Sequence, residues 1–205
     1  QGSLPDIGSV LSEKYSTGVI EELSADHNAV RITDSKLSVN VFAVSAQVTE
    51  SAQTIGNSIA IQDSAFVGDR SFDVAAVSML GSDTGSLASQ QSSVVISNVT
   101  LDGQSSYSIA ADELQSAISV SSSDAGVILD NFQTDANATG HIYASRVQGR
   151  HNAEALNGRL DIRHSSVTGT LRGSLVSLSS LNSDLTFGSV VAHNNTLAIS
   201  DSTLG

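Results

Sequence analysis

The 205-residue chain has no cysteine, no tryptophan, a single proline and a single methionine. Without cysteine it offers no disulfide framework, no thiolate nucleophile and no zinc–thiolate site. Only 15% of its residues are charged, and nine Lys and Arg against 21 Asp and Glu give a net charge of −12. So few cations argue against a general nucleic-acid binder, because neutralising phosphates requires Lys and Arg. No apolar run reaches the roughly 18 residues that a membrane-spanning helix needs.

What the chain does contain is a repeated octet, in which the first and sixth residues are apolar, the third is usually Asp or Asn, and the last is often Gly. Clear copies lie at 61–68, 96–103 and 162–169, and a further copy lies at 199–205. Weaker copies begin at Ile32 and Leu129, so successive copies start 29, 35, 33, 33 and 37 residues apart. A period of this length is typical of stacked repeat proteins.

A second, looser octet follows the first at a nearly constant distance. Its copies begin at Val74, Ile109, Ile142 and Val176, with a doubtful copy near Phe42. The copies at Val74, Ile109, Ile142 and Val176 begin 13, 13, 13 and 14 residues after the nearest preceding copy of the first octet. The constant offset predicts that two sides of each repeat have a fixed length, and that the connections between repeats absorb the variation.

The apolar residues within an octet alternate as they do in a β-strand. Val94, Ile96 and Leu101 are predicted to face one way, and Ser97, Thr100 and Asp102 the other. A unit of this size cannot bury its apolar side alone, whereas stacked copies can. We therefore expect the octet starts to form one apolar column, made of Ile32, Ile61, Ile96, Leu129, Ile162 and Ile199.

Two kinds of residue mark corners in the predicted coil. The third octet position holds Asp34, Asp63, Asn98, Asn131, His164 and Asp201, and Asp and Asn tolerate the left-handed backbone of a sharp bend. The closing glycines, at 68, 81, 103, 149 and 169, predict further corners with positive φ. The Asp positions could also serve as acids for polysaccharide cleavage. Sugar sites favour aromatic platforms, however, and only Tyr15, Tyr107 and Tyr143 offer amphipathic rings.

These patterns predict an all-β fold, a right-handed parallel β-helix (solenoid) of about six coils. An all-β sandwich is the main alternative, since it also has regularly spaced short strands. Residues 29–205 would form the solenoid and residues 1–28 an N-terminal cap segment. Pro5 near a start, followed by Ile7, Val10, Leu11 and Tyr15 at helical spacing, predicts a short helix in that cap.

The octets at 95–103 and 197–205 resemble the coils of bacterial surface β-helices, namely autotransporter passenger domains and filamentous-haemagglutinin-like adhesins. The resemblance covers about residues 28–205 and implies an exported β-helix that serves adhesion, matrix or fibre formation at the bacterial cell surface. No site residue is implied by it. Gln1 is not a translation start, and both signal-peptide removal and a cloning remnant would explain it.

The last octet has no recognisable cap, so we expect an open C-terminal strand. Five of the nine cations lie near that end: Arg146, Arg150, Arg159, Arg163 and Arg172. The charged residues of 6–26 are five acids and one lysine. Head-to-tail self-association by strand addition is therefore the first functional hypothesis. The residues assigned to it are Val19, Ile20, Leu23, Leu197, Ile199 and Leu204.

Two alternatives remain open: a fragment of a larger autotransporter-type adhesin, and a β-helix polysaccharide lyase or hydrolase. The five histidines show no metal-ligand spacing, and no seryl nucleophile elbow occurs. We therefore predict no catalytic residue, no cofactor and no metal. The expected partner is a second copy of the chain or a host or matrix surface molecule.

Overall fold

The computed structural model of the chain describes residues 20–68, 71–102, 106–117, 119–134, 138–149, 152–167, 170–173, 176–180 and 189–204. These residues form β-strands joined by short turns. The strands are β1 (Ile20–Asp26), β2 (Ala29–Thr33), β3 (Lys36–Leu37), β4 (Val41–Ile55), β5 (Ser58–Val67), β6 (Phe72–Gly81), β7 (Ser86–Gln90), β8 (Ser93–Asp102), β9 (Ser106–Gln115), β10 (Ser119–Ser123), β11 (Gly126–Thr134), β12 (Thr139–Gly149), β13 (Asn152–Leu156), β14 (Arg159–Arg163), β15 (Ser166–Val167), β16 (Thr170–Gly173), β17 (Val176–Ser180), β18 (Ser189–His193), β19 (Thr196–Ser200) and β20 (Thr203–Leu204).

The strands build an all-β parallel solenoid of about four turns. One sheet runs in the order β19-β14-β11-β8-β5-β2, and the other runs in the order β16-β12-β9-β6-β4-β7-β10-β13-β18. The long strand β4 joins two ladders, because residues 41–48 pair with β6 and residues 51–55 pair with β7. Every pairing among the described strands is parallel, which excludes the antiparallel sandwich. The count of six coils and the right-handed sense stay predictions.

The predicted apolar column is confirmed by the strand register. Ile61 pairs with Ile32 on one side and with Ile96 on the other. The column continues through Leu129 to Ile162 and then to Ile199. Within one strand the predicted alternation also holds, since Val94, Ile96 and Leu101 are buried and Ser97, Thr100 and Asp102 are not. Stacking of equivalent residues therefore supplies the core.

The predicted column of bend residues is also confirmed. Asp34, Asp63, Asn98, Asn131, His164 and Asp201 all have φ between 47° and 52°. A second column of bends was not predicted: His27, Gly56, Gln91, Asp124, Asn157 and Asn194 have φ between 53° and 69°. Its members sit at the same spacings as the octets, and all but Gln91 are residue types that tolerate positive φ, so the common spacing could have identified them.

The prediction of the second octet is confirmed near Phe42 and wrong at Val176. Near Phe42 the copy starts at Val41, which pairs with Val74. Val176 pairs with Ser145, and it is Gly173 that pairs with Ile142. The connection after the first octet is shorter at both places than the usual 13 positions. It is nine positions from Ile32 to Val41 and eleven from Ile162 to Gly173. A count that assumes a constant offset therefore misses the register.

The predicted corner glycines divide into three groups. Gly68 has a positive φ of 112° and is the corner that was predicted. Gly81 and Gly149 instead end strands β6 and β12, and their φ is not positive. Lack of space, not backbone conformation, requires glycine at 149, since a Cβ there would lie 2.1 Å from the carbonyl oxygen of Asn152. The predictions for positions 103 and 169 lie outside the described residues.

The N-terminal segment contributes a strand to the solenoid. β1 pairs in parallel with the second half of β4, from Glu22↔Ser51 to Asp26↔Ile55. The strand occupies 20–26 of the segment that was assigned to the cap at 1–28. The predicted cap helix, with Pro5 to Tyr15, lies outside the described residues.

The buried side chains form two apolar clusters. The larger cluster contains the octet column from Ile32 to Ile162 and the rings of Phe66, Phe72, Tyr107 and Phe132. The smaller cluster includes Val44, Val77, Leu114 and Val147. Tyr107 meets Phe132 edge to face, with ring centroids 5.9 Å apart. A Cβ on Gly140 would lie 1.9 Å from the Tyr107 ring, so only glycine fits beneath that ring.

Candidate functional site

Among the described strands, none pairs with the last apolar rung of the solenoid on its C-terminal side. Leu197 and Ile199 of β19 are 53% and 47% exposed. Their partners one rung earlier, Leu160 and Ile162, are only 3% and 2% exposed. Within the described part of the chain, β18 and β19 end the two strand paths and have no neighbour on their outer edge. This terminal rung, residues 189–200, presents both apolar side chains and unpaired backbone groups.

The N-terminal rung exposes much less of its apolar side chains than the C-terminal rung does. Val30 and Ile32 occupy the positions equivalent to Leu197 and Ile199, yet they are 8% and 2% exposed. Their inward side chains are therefore already covered. The outer edge of β2 is likewise the end of its strand path among the described residues. Among the described residues, the N-terminal rung thus offers backbone groups for pairing but little exposed apolar surface.

The sequence-predicted association residues are divided between these two ends. Ile20 and Leu23 lie in β1 and are half-buried, and Leu23 packs against the smaller apolar cluster. Leu197 and Ile199 form the exposed row. Leu204 lies in β20, whose backbone pairs with β15. Val19 lies outside the described residues.

The bend residues hold one another across successive rungs. The Asn98 amide donates to Asp63 Oδ1 at 3.0 Å, and the Asn131 amide donates to Asn98 Oδ1 at 2.9 Å. His164 Nδ1 lies 2.9 Å from Asp130 Oδ1. These contacts account for the Asp and Asn column as a hydrogen-bonded ladder on the outer surface, with no need for a substrate.

Two of the five arginines near the C-terminal end, Arg159 and Arg163, share a single carboxylate partner. The Asp161 carboxylate accepts hydrogen bonds from Arg163 and, at 2.9 Å, from Arg159. Those bonds, first the one from Arg163, hold the pKa of Asp161 below its usual value. Both arginines lie on β14, one rung from the open end. Arg150 lies outside the described residues.

A buried polar network, which sequence analysis did not identify, lies between the two apolar clusters. Asp112 is completely buried on β9, where the strand passes from one cluster to the other. The Ser89 hydroxyl donates to Asp112 Oδ1 at 2.8 Å, and the Ser122 hydroxyl donates to Oδ2 at 2.6 Å. Burial raises the pKa of Asp112, and the serine hydrogen bonds oppose that rise. Asp112, Ser89 and Ser122 are each at most 1% exposed, so we read the network as structural.

No family model, curated protein or solved structure matches this chain. The likeness to bacterial surface β-helices therefore rests on the parallel solenoid alone. Among the residues that the structure describes, no helix is long and apolar enough to cross a membrane. The same residues contain no group of three or more His, Cys, Asp or Glu side chains placed to hold a metal ion.

Proposed function

We propose that this chain is a structural or adhesive solenoid of the bacterial cell surface or extracellular matrix, which extends by adding rungs at its C-terminal end. The observation that carries the proposal is the exposed pair Leu197 and Ile199, in register with a buried column. The occupant we assign to this end is the first rung of a second copy. A contact between the two unlike ends of the chain does not close and would produce a filament.

The chemistry of the two ends supports this assignment. Another parallel strand on β18 and β19 would satisfy their free amides and carbonyls, as strand addition does in other proteins. Covering Leu197 and Ile199 would contribute about 1 kcal/mol each, because each is only half-exposed at present. The receiving rung would supply the edge of β1 and β2, which is the end of the strand path among the described residues.

Filament formation tests the proposal directly. The 205-residue chain should form filaments in negative-stain micrographs, and its mass by light scattering should rise with concentration. Ile199→Lys should keep the chain monomeric, because a charge on the terminal rung cannot be buried without cost. Leu80→Lys is the matched control, since Leu80 is 42% exposed but lies away from the terminal rung.

Two results would contradict the proposal. One is a wild-type chain that stays monomeric at every concentration, and the other is an Ile199→Lys chain that assembles like the wild type. A longer natural reading frame with a further octet would instead assign the exposed row to the next coil of the same polypeptide. That result would favour the adhesin-fragment alternative.

A further inference from the structure

Asparagines that follow bends of the second column reach back to the rung before their own. Asn57 Oδ1 accepts from the Asn28 amide at 3.0 Å, and Asn57 Nδ2 donates to the carbonyl oxygen of Ala25 at 3.0 Å. Asn195, in the last described rung, likewise accepts from the Gly158 amide at 2.7 Å and donates to the carbonyl three residues before Gly158 at 3.4 Å. Asn28, in the first described rung, turns its Nδ2 forwards to Asn57 Oδ1 at 3.0 Å. An asparagine with a rung before it therefore binds two backbone groups of that rung.

Serines that follow bends of the first column reach back in the same direction. The Ser35 amide donates to Ser64 Oγ at 3.1 Å, and the Ser165 amide donates to Ser202 Oγ at 3.1 Å. The Phe132 amide donates to Ser165 Oγ at 3.0 Å. Each of these serines therefore supplies an acceptor to a backbone amide of the rung before its own.

Both kinds of residue are concentrated towards the two ends of the stack. Rung by rung, the position after the second bend holds Asn28, Asn57, Ser92, Ala125, Gly158 and Asn195. The position after the first bend holds Ser35, Ser64, Val99, Phe132, Ser165 and Ser202. Placing the last rung of one copy against the first rung of another would turn the separated asparagines into one continuous row, and the separated serines into a second.

We propose that Asn28 and Ser35 are contact residues of the head-to-tail interface and fix its register, with Asn28 over Asn195 and Ser35 over Ser202 of the neighbouring copy. The inference rests on the head-to-tail assembly proposed above and names its contacts. Asn28 accepts from the Asn195 amide and donates to the carbonyl of Ala192, which pairs with the carbonyl residue that Asn195 itself binds. Ser35 Oγ accepts from the Ser202 amide. Seven residues separate 28 from 35 and also 195 from 202, so a single register satisfies both corners.

Engineered disulfides can report this register, because the chain has no cysteine of its own. In the proposed register Thr33 lies beside Ser200 of the neighbouring copy, as Thr33 lies beside Gln62 within one chain. Paired residues on parallel strands are about 4.8 Å apart, which suits a disulfide. Oxidised Thr33→Cys/Ser200→Cys chains should therefore form linked oligomers at least about fivefold more than Arg31→Cys/Ser200→Cys chains, whose cysteines are two residues out of register. Positions 33 and 200 lie at opposite ends of the stack, so the link joins two copies.

Alanine variants test the contacts themselves. Asn28→Ala loses two interface hydrogen bonds and should raise the critical concentration for assembly, measured by light scattering, at least about fivefold. Ser35→Ala loses one and should raise it at least about threefold. Asn131→Gly is the matched control, because it removes an amide from a middle rung while glycine keeps the positive φ. Its critical concentration should stay within about twofold of the wild type.

Circular dichroism checks that each variant is folded, and if Asn28→Ala is not, Ser35→Ala gives the measurement at the other corner. A wild-type chain that does not assemble overturns both this inference and the proposed function. Filaments that link equally well or better out of register overturn the inference alone and leave the proposed function standing. An unchanged critical concentration in a folded Asn28→Ala or Ser35→Ala chain has the same meaning.

Discussion

The buried carboxyl of Asp112 should make the stability of the solenoid fall as the pH rises. Burial raises the pKa of Asp112 in the folded chain. The folded state then binds more protons than the unfolded state between the unfolded and folded pKa values. Across that window the free energy of unfolding should decrease by about 1.4 kcal/mol per pH unit. The loss of stability begins as the pH rises above the pKa of aspartate in the unfolded chain, and it ends at the pKa of Asp112 in the folded chain.

Asp112→Asn isolates this contribution from the other acids. An asparagine keeps the shape and can still accept a hydrogen bond from Ser89 or Ser122, but it cannot ionise. Urea unfolding followed by circular dichroism between about pH 4 and about pH 9 should show the wild-type curve descending relative to the variant curve. Asp73 and Glu113 remain in both proteins, so their own raised pKa values cancel in the difference.

The matched comparison is Asp161→Asn, which should act in the opposite sense. Hydrogen bonds from Arg163 and Arg159 lower the pKa of Asp161, so its stabilisation is present above the unfolded pKa and is lost as the pH falls. A difference between wild type and Asp112→Asn that stays constant with pH would refute the reasoning about Asp112.

Further substitutions test the packing. Gly140→Ala should cost about 1–3 kcal/mol in urea unfolding, because the added methyl group meets the Tyr107 ring, and an unchanged midpoint would contradict that contact. Asn98→Ala should lower the free energy of unfolding by about 1–2 kcal/mol, because alanine lacks the ladder hydrogen bonds and disfavours the positive φ of this position. Asn98→Gly loses the same hydrogen bonds but accepts the positive φ, so it should cost less. Ser145→Ala should be neutral or stabilise by up to about 1 kcal/mol, because its hydroxyl is buried without a partner in the described part of the chain. A loss of stability there would indicate a bound water.

The success of the octet prediction and its failures have different causes. Asp63, Asn98 and Asn131 could be assigned to bends because their side chains favour the left-handed backbone locally. The second bend column has the same property at Gly56, Asp124 and Asn157, but not at Gln91. Its common spacing with the first octet is the signal that could have revealed it.

The alternation of apolar residues and the period between octets were enough, by themselves, to predict a parallel solenoid with Ile61 directly beside Ile96. Both are properties of chemically similar residues recurring at regular intervals, and stacking follows from burying them. The bend in β9 that brings Ser108 to Glu113, the burial of Asp112 and the fit of Gly140 under Tyr107 were decided only by the tertiary structure. Each depends on how far a strand bends and on which side chain the neighbouring rung brings next to it, and no local pattern encodes either quantity.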